Sequence, residues 1–205
     1  MSQITKGIRS FLSLPIVYSL FGNLIGGDFG RRTLVNEYIQ PKTGDRILDI
    51  VCGPADLISF MPKVEYIGFD LSQDFINAAK NKYGDRATFF CKEVNLVNLE
   101  QKEYFDIVLA IGVLHHLDDS EALKLFDLAK AALKPNGRLV TFDGVYIQDQ
   151  SPLARWIISK DRGQNVRTKE GYLNLASVQF SDIATHIRHD LLRIPYTHII
   201  LECIK

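Results

Sequence analysis

Residues 46–56, Arg46-Ile47-Leu48-Asp49-Ile50-Val51-Cys52-Gly53-Pro54-Ala55-Asp56, decide the fold. Ile47 to Val51 is a short apolar run holding one acid, and it reads as a buried strand. Gly53-Pro54 signals a turn, and Pro54 can open a helix at its first position. A second apolar run, Val64 to Phe69, ends on Asp70, 21 positions after Asp49. Strand, glycine turn, helix N-terminus and an acid after the second strand make a dinucleotide-type site. Main-chain N–H groups at such a turn approach the ligand, and the acid accepts hydrogen bonds from ribose hydroxyls.

Outward from this stretch the pattern alternates. Strands are expected at Ile47–Val51, Val64–Phe69, Ala87–Cys91, Phe105–Ile111 and Arg138–Asp143, and helices at Ala55–Phe60, Gln73–Tyr83 and Ser120–Leu133. Ser72 is the expected N-cap of the second helix, and Asp118 or Asp119 of the third. Lys134-Pro135-Asn136-Gly137 ends the third with a turn. Such alternation implies a parallel sheet with helices on both faces. Toward the C-terminus, helical stretches in Gln148–Phe180 are broken by the polar segment 160–168. Two strands, His186–Arg193 and Tyr196–Ile204, then form a final antiparallel hairpin across Pro195.

A chain of 205 residues fits one domain with a sizeable core. Its 24 basic and 24 acidic residues balance, so no charge excess points to nucleic acid or a membrane. Cys52, Cys91 and Cys203 show neither metal spacing nor a disulfide framework, so no metal is expected. Free thiols suit a reducing compartment, and a cytoplasmic location is expected. The apolar stretch Ile8–Ile25 is interrupted by Arg9, Pro15 and Asn23, too short a pure run to span a bilayer. It reads as an amphipathic helix pair packing on the domain, with a membrane-surface role as the other reading. Gly26-Gly27 breaks it, and Phe29–Ile39 reads as a further helix with Leu34, Val35, Tyr38 and Ile39 on its apolar side. The division expected is therefore an N-terminal helical extension, residues 1–43, and a core domain, residues 44–205.

The dinucleotide fingerprint Gly-x-Gly-x-x-Gly is absent, which counts against a nicotinamide oxidoreductase. The stretch Leu48–Asp56 instead resembles the first motif of the class I S-adenosylmethionine-dependent methyltransferases, acid-x-Gly-x-Gly-x-Gly. The acid is Asp49 and the central glycine Gly53, while Val51 and Ala55 replace the flanking glycines. The resemblance implies an α/β, Rossmann-like three-layer sandwich: a mostly parallel seven-stranded sheet with one antiparallel strand, helices on both faces and extra N-terminal helices. It implies S-adenosyl-L-methionine as cofactor, S-adenosyl-L-homocysteine as product, and in-line methyl transfer. The implied cofactor residues are Asp49, Val51, Cys52, Gly53 and Pro54 at the first turn. Asp70 would bind the ribose and Leu71 lie against adenine. Glu93 and Val94 would meet the adenine edge, although a surface role suits Glu93 equally. Ala110, Ile111 and Gly112 would lie beside the methionine part.

The stretch "FDIVLAIGVLHHLDD" resembles the family's fourth motif, and "LKPNGRLVTFDGVY" its fifth strand. His115 and His116 then face the presumed cleft, either as a base near neutral pH or in orienting and capping roles. Asp143 and Tyr146 emerge at the same sheet edge and are candidate substrate contacts. Asp161, Arg162 and Arg167 form either a substrate loop, with two arginines to clamp an anion, or a solvated loop. The acceptor expected is a small molecule or a group protruding from something larger. Val51 supports a second reading, a methyltransferase-like binding protein with little or no activity. A β-branched residue cannot readily take φ > 0, and its side chain would occupy space the cofactor needs.

Overall fold

The structure, a computed structural model, describes residues 26–97, 99–160 and 163–205. The helix pair expected at Ile8–Ile25 lies outside the described residues, as do Asp161 and Arg162.

Four strands match the alternating pattern: β1 Arg46–Asp49, β2 Glu65–Asp70, β3 Ala87–Cys91 and β4 Phe105–Ile111. β5, Leu133–Tyr146, is longer than expected, because Leu133 already pairs with Phe105 before an irregularity resets the register at Ile107–Arg138. A two-residue β6, Arg167–Thr168, pairs with β5 off the main path. β7 and β8 are Asp182–Arg188 and His198–Ile204. The sheet order is β3-β2-β1-β4-β5-β8-β7, with β8 antiparallel to both neighbours. β7 lies earlier than the sequence suggests, since its pairing runs from Asp182–Ile204 to Arg188–His198. Residues 189–197, with Pro195, form the connection.

Both sheet faces are covered. On one, α1 (Gly27–Thr33) continues into a π-helical turn, Leu34–Ile39, which buries Leu34, Val35, Tyr38 and Ile39. The same apolar cluster takes Ile76, Ala79 and Tyr83 from α2, Gln73–Tyr83, capped by Ser72 as expected. The other face receives Ala122, Leu125, Phe126, Ala129 and Ala132 of α3, Asp119–Ala132. Asp118 caps α3 in a reciprocal pair with Glu121: Glu121 N–H donates to Asp118 at 2.9 Å, and Asp118 N–H to Glu121 at 3.1 Å. Two eight-residue helices follow β5: α4, Pro152–Ser159, and α5, Lys169–Ala176.

The expected helix at Ala55–Phe60 is a 3₁₀ helix over Asp56–Phe60, and Pro54 does not open it. Ala55 precedes it in the left-handed region at φ 57°, its N–H turned back to the Cys52 carbonyl at 2.9 Å. A five-residue segment is too short to recover the cost of nucleating an α-helix, so the tighter turn prevails.

Gly68 on β2 lets the first turn close on the sheet. A Cβ there would meet Cys52 Sγ at 2.8 Å, Cys52 Cβ at 3.0 Å and the Phe89 ring at 3.0 Å. Gly68→Ala is therefore expected to overpack the joint, costing about 1–3 kcal/mol and roughly 2–12 °C in melting temperature. Thermal unfolding followed by circular dichroism checks this; an unchanged midpoint would show that Cys52 yields freely.

Candidate functional site

β1, β2, β4 and β5 are parallel, so their carboxyl ends lie on one edge of the sheet. Asp49, Asp70, Gly112 and Asp143 gather along this edge, where parallel α/β sheets bind ligands.

At the first turn the backbone leaves β1 without losing its bonds. Ile50 N–H donates to the Leu109 carbonyl at 3.1 Å and Cys52 N–H to the Phe69 carbonyl at 2.8 Å. The turn is completed by Gly53, whose φ of +52° is a conformation side chains resist. A Cβ on Gly53 would point into open space. Val51 has no positive φ, so the backbone part of the objection to valine is removed. Its side chain is half-buried against the core. The left-handed conformation falls instead on Ala55, the replacement that looked mild. Cys52 is buried, and burial pushes its thiol far above the ordinary range. Pro54 is half-buried beside it.

Asp70 joins two elements. Its carboxylate accepts Gly53 N–H at 3.0 Å and Ser72 N–H at 2.7 Å. One acid thus fixes the glycine turn to the start of α2. Each oxygen takes one of these bonds and keeps a lone pair for another donor. Burial raises the Asp70 pKa, while the N–H groups of Ser72, Gly53 and Leu71 oppose the rise. Next to it Leu71 is an exposed apolar side chain at 58%. Glu93 is exposed and Val94 buried after β3.

Asp49 is held from beneath by a residue that the sequence reading missed. Tyr66 Oη donates to Asp49 Oδ2 at 2.5 Å, and both side chains are buried. The available signal was a tyrosine in an apolar strand, because a buried phenol needs a partner. Burial raises the Asp49 pKa to about 7, with the Tyr66 hydrogen bond opposing and the charge of Asp70 adding to the rise.

After β4, Ala110 is buried and Ile111 and Gly112 are half-buried. Gly112 takes φ +69° and donates its N–H to the Phe142 carbonyl at 2.7 Å. The chain then forms a 3₁₀ turn, Leu114–His116. His115 is buried, its Nδ1 2.7 Å from Asp143 Oδ1, and its backbone N–H meets the same oxygen at 3.2 Å. Asp143 is 1% exposed, and Oδ2 has no hydrogen-bond partner among the described residues. Burial raises its pKa against the opposing pull of His115. Asp143, expected to touch substrate, therefore sits behind His115. The His116 ring lies 4.1 Å from that of His115, centroid to centroid.

Tyr146 at the end of β5 lies half-buried under Arg155, whose guanidinium carbon is 5.0 Å from the ring centroid. Arg167 departs from expectation. Its guanidinium is engaged by protein acceptors around the Leu114–Leu117 turn, so it is not available to clamp a substrate anion.

Residues 48–139 match a family model described as a methyltransferase domain. The ubiquinone biosynthesis O-methyltransferase of Bradyrhizobium diazoefficiens is 36% identical over 103 residues, 47% of this chain and 39% of that protein. The probable tRNA methyltransferase 9B of Mus musculus is 26% identical over 110 residues, 53% of this chain and 24% of that protein. The match thus spans well under half of either relative. Among solved structures, phosphoethanolamine N-methyltransferase 2 of Haemonchus contortus, complexed with phosphomonomethylethanolamine and S-adenosylhomocysteine, has a TM-score of 0.70 at 18% identity. That match covers 98% of this chain and 61% of the other. The PH0226 protein of Pyrococcus horikoshii has a TM-score of 0.65 at 19% identity, covering 92% of both chains.

The Asp49–Tyr66 pair yields a pH signature. With its folded pKa raised from 3.8 to about 7, Asp49 contributes stability fully present below its unfolded pKa. That contribution is lost as pH rises through 7. Tyr66→Phe removes the bond that opposes the rise, so the loss deepens. The variant's deficit is expected to grow between pH 5 and pH 8, reaching about 1–3 kcal/mol. Urea unfolding of both proteins at the two pH values measures it; a deficit independent of pH would break the link.

Proposed function

We propose that the chain is a class I S-adenosylmethionine-dependent methyltransferase that takes S-adenosyl-L-methionine as its cofactor and transfers the methyl group to a small-molecule acceptor whose proton His115 removes. The reading is carried by the glycine turn that Asp70 ties to α2: Gly53 leaves open space where a cofactor can approach, beside an acid at the end of β2. The residues present fit the cofactor on that ground. Asp70 would take the ribose hydroxyls, Leu71 and Val94 the adenine, and Gly53 and Gly112 the close backbone approach. When bound, the cofactor supplies a methyl group already activated by its sulfonium.

The chain's own work is then to align the acceptor, exclude water and receive a proton. Asp143 holds the His115 ring through Nδ1, which directs proton acceptance to Nε2. A buried carboxylate behind the imidazole stabilises the imidazolium that results. An acceptor that keeps a proton at neutral pH, such as a hydroxyl, requires this arrangement. The O-methyltransferase relative fits that chemistry. Equal numbers of acids and bases weigh against a nucleic-acid acceptor, to which the tRNA methyltransferase relative would otherwise point.

Calorimetric titration with S-adenosyl-L-homocysteine tests the cofactor site. Asp70→Ala should weaken binding well over tenfold, since charge-assisted bonds to ribose are lost and each tenfold is about 1.4 kcal/mol. Gly53→Ala should cost about 1–2 kcal/mol of stability from the left-handed backbone, yet bind far more weakly because its methyl enters the open space. Full affinity in both folded variants would overturn the site. No heat with the parent at millimolar ligand would favour a binding protein without methyl transfer.

A further inference from the structure

Arg167 is the most fully engaged cation near the His115–Asp143 pair. A guanidinium carries five N–H donors, and Arg167 makes five hydrogen bonds. Nη1 donates to the carbonyls of Leu114 at 2.8 Å and Asn165 at 3.0 Å. Nη2 donates to the Leu117 carbonyl at 2.8 Å and to Asp119 Oδ1 at 2.7 Å, and Nε donates to that same oxygen at 3.0 Å. Leu114 and Leu117 bracket the turn that carries both histidines. The Arg167 backbone is fixed independently, since β6 pairs Arg167 with Val145, two residues beyond Asp143 on β5.

Two further contacts come from the same segment. Asn165 N–H donates to the His115 carbonyl at 2.9 Å. Gly163 lies against the imidazole so closely that a Cβ would overlap His115 Cδ2 and come within 2.6 Å of the His115 carbonyl oxygen. The strand that supplies Asp143 therefore also anchors the side chain gripping the opposite side of the His115 turn.

We propose that Arg167 is a positioning residue: it clamps the Leu114–Leu117 turn to β5 so that His115 Nδ1 stays on Asp143. The clamp rests on its own contacts. Its consequence for proton transfer rests on the reading of His115 given above. A lysine would not replace it, because one ammonium group lacks the planar fork that reaches three carbonyls and a carboxylate together.

Nuclear magnetic resonance of the full chain labelled with ¹⁵N-histidine tests the clamp without an acceptor. His115→Gln assigns the His115 signals, and His186, His189 and His198 serve as internal references. In the parent, the His115 nitrogens should report one tautomer, with the proton on Nδ1. In Arg167→Met they should move toward the average of two tautomers, with the titration midpoint shifted by about half a pH unit or more, while the references stay in place. Arg167→Lys should not restore the parent spectrum. Asp119→Asn, which leaves the carbonyl contacts intact, should retain it. If Arg167→Met does not fold, Arg167→Lys and Gly163→Ala are read instead, and both should move the His115 signals. Unchanged His115 signals in any folded Arg167 variant overturn the proposal, whatever the change in melting temperature. S-adenosyl-L-homocysteine affinity, measured in parallel, should change less than threefold. A moved His115 spectrum in a chain that binds no S-adenosyl-L-homocysteine would uphold the clamp and reject the cofactor reading.

Discussion

The carboxylate of Asp70 bridges two backbone N–H groups that no strand or helix satisfies, one on Gly53 and one on Ser72. Gly53 can present its N–H only because it takes a left-handed φ. Ser72 then caps α2, accepting Phe75 N–H at 3.3 Å. Turn, strand end and helix start therefore share a single acid. Remove it, and two donors at the sheet edge lose their partner, a loss of about 1–3 kcal/mol for each where water cannot replace it.

Along that edge three buried acids are answered by three kinds of donor. Asp49 receives a phenol, Asp70 the main chain, and Asp143 an imidazole with its own backbone N–H. Burial raises all three pKa values. The choice of partner separates their roles. A backbone-held acid keeps its geometry in either protonation state of its neighbours. An acid held by histidine is coupled to a ring that can itself take up a proton.

Much of this was legible in residues 46–143. β3, β4 and α2 fall where periodicity put them, and Ser72 and Asp118 cap as their side chains predict. Those elements are governed by local rules that a single sequence displays. The misses share a different cause. Tyr66 reaches Asp49 across two neighbouring strands, and Arg167 reaches a turn some fifty residues earlier in the chain. Neither pairing leaves a local pattern. The first turn misled in another way. Counting glycines put the backbone constraint on Val51, whereas left-handed φ values fall on Gly53 and Ala55. A motif fixes spacing, but the path of the chain decides which position bears the conformational demand.

The short pairing of β6 with β5 has a consequence for how this chain can vary. Val145 pairs with Arg167 and Tyr146 with Thr168, so the excursion between them, including α4, is closed at its base by the sheet. Once the two ends are joined, the entropy of closing the loop depends only weakly on its length. The excursion is in this sense a cassette. Variation then falls on its α4 part, while Gly163 and Asn165 near its end stay held against His115.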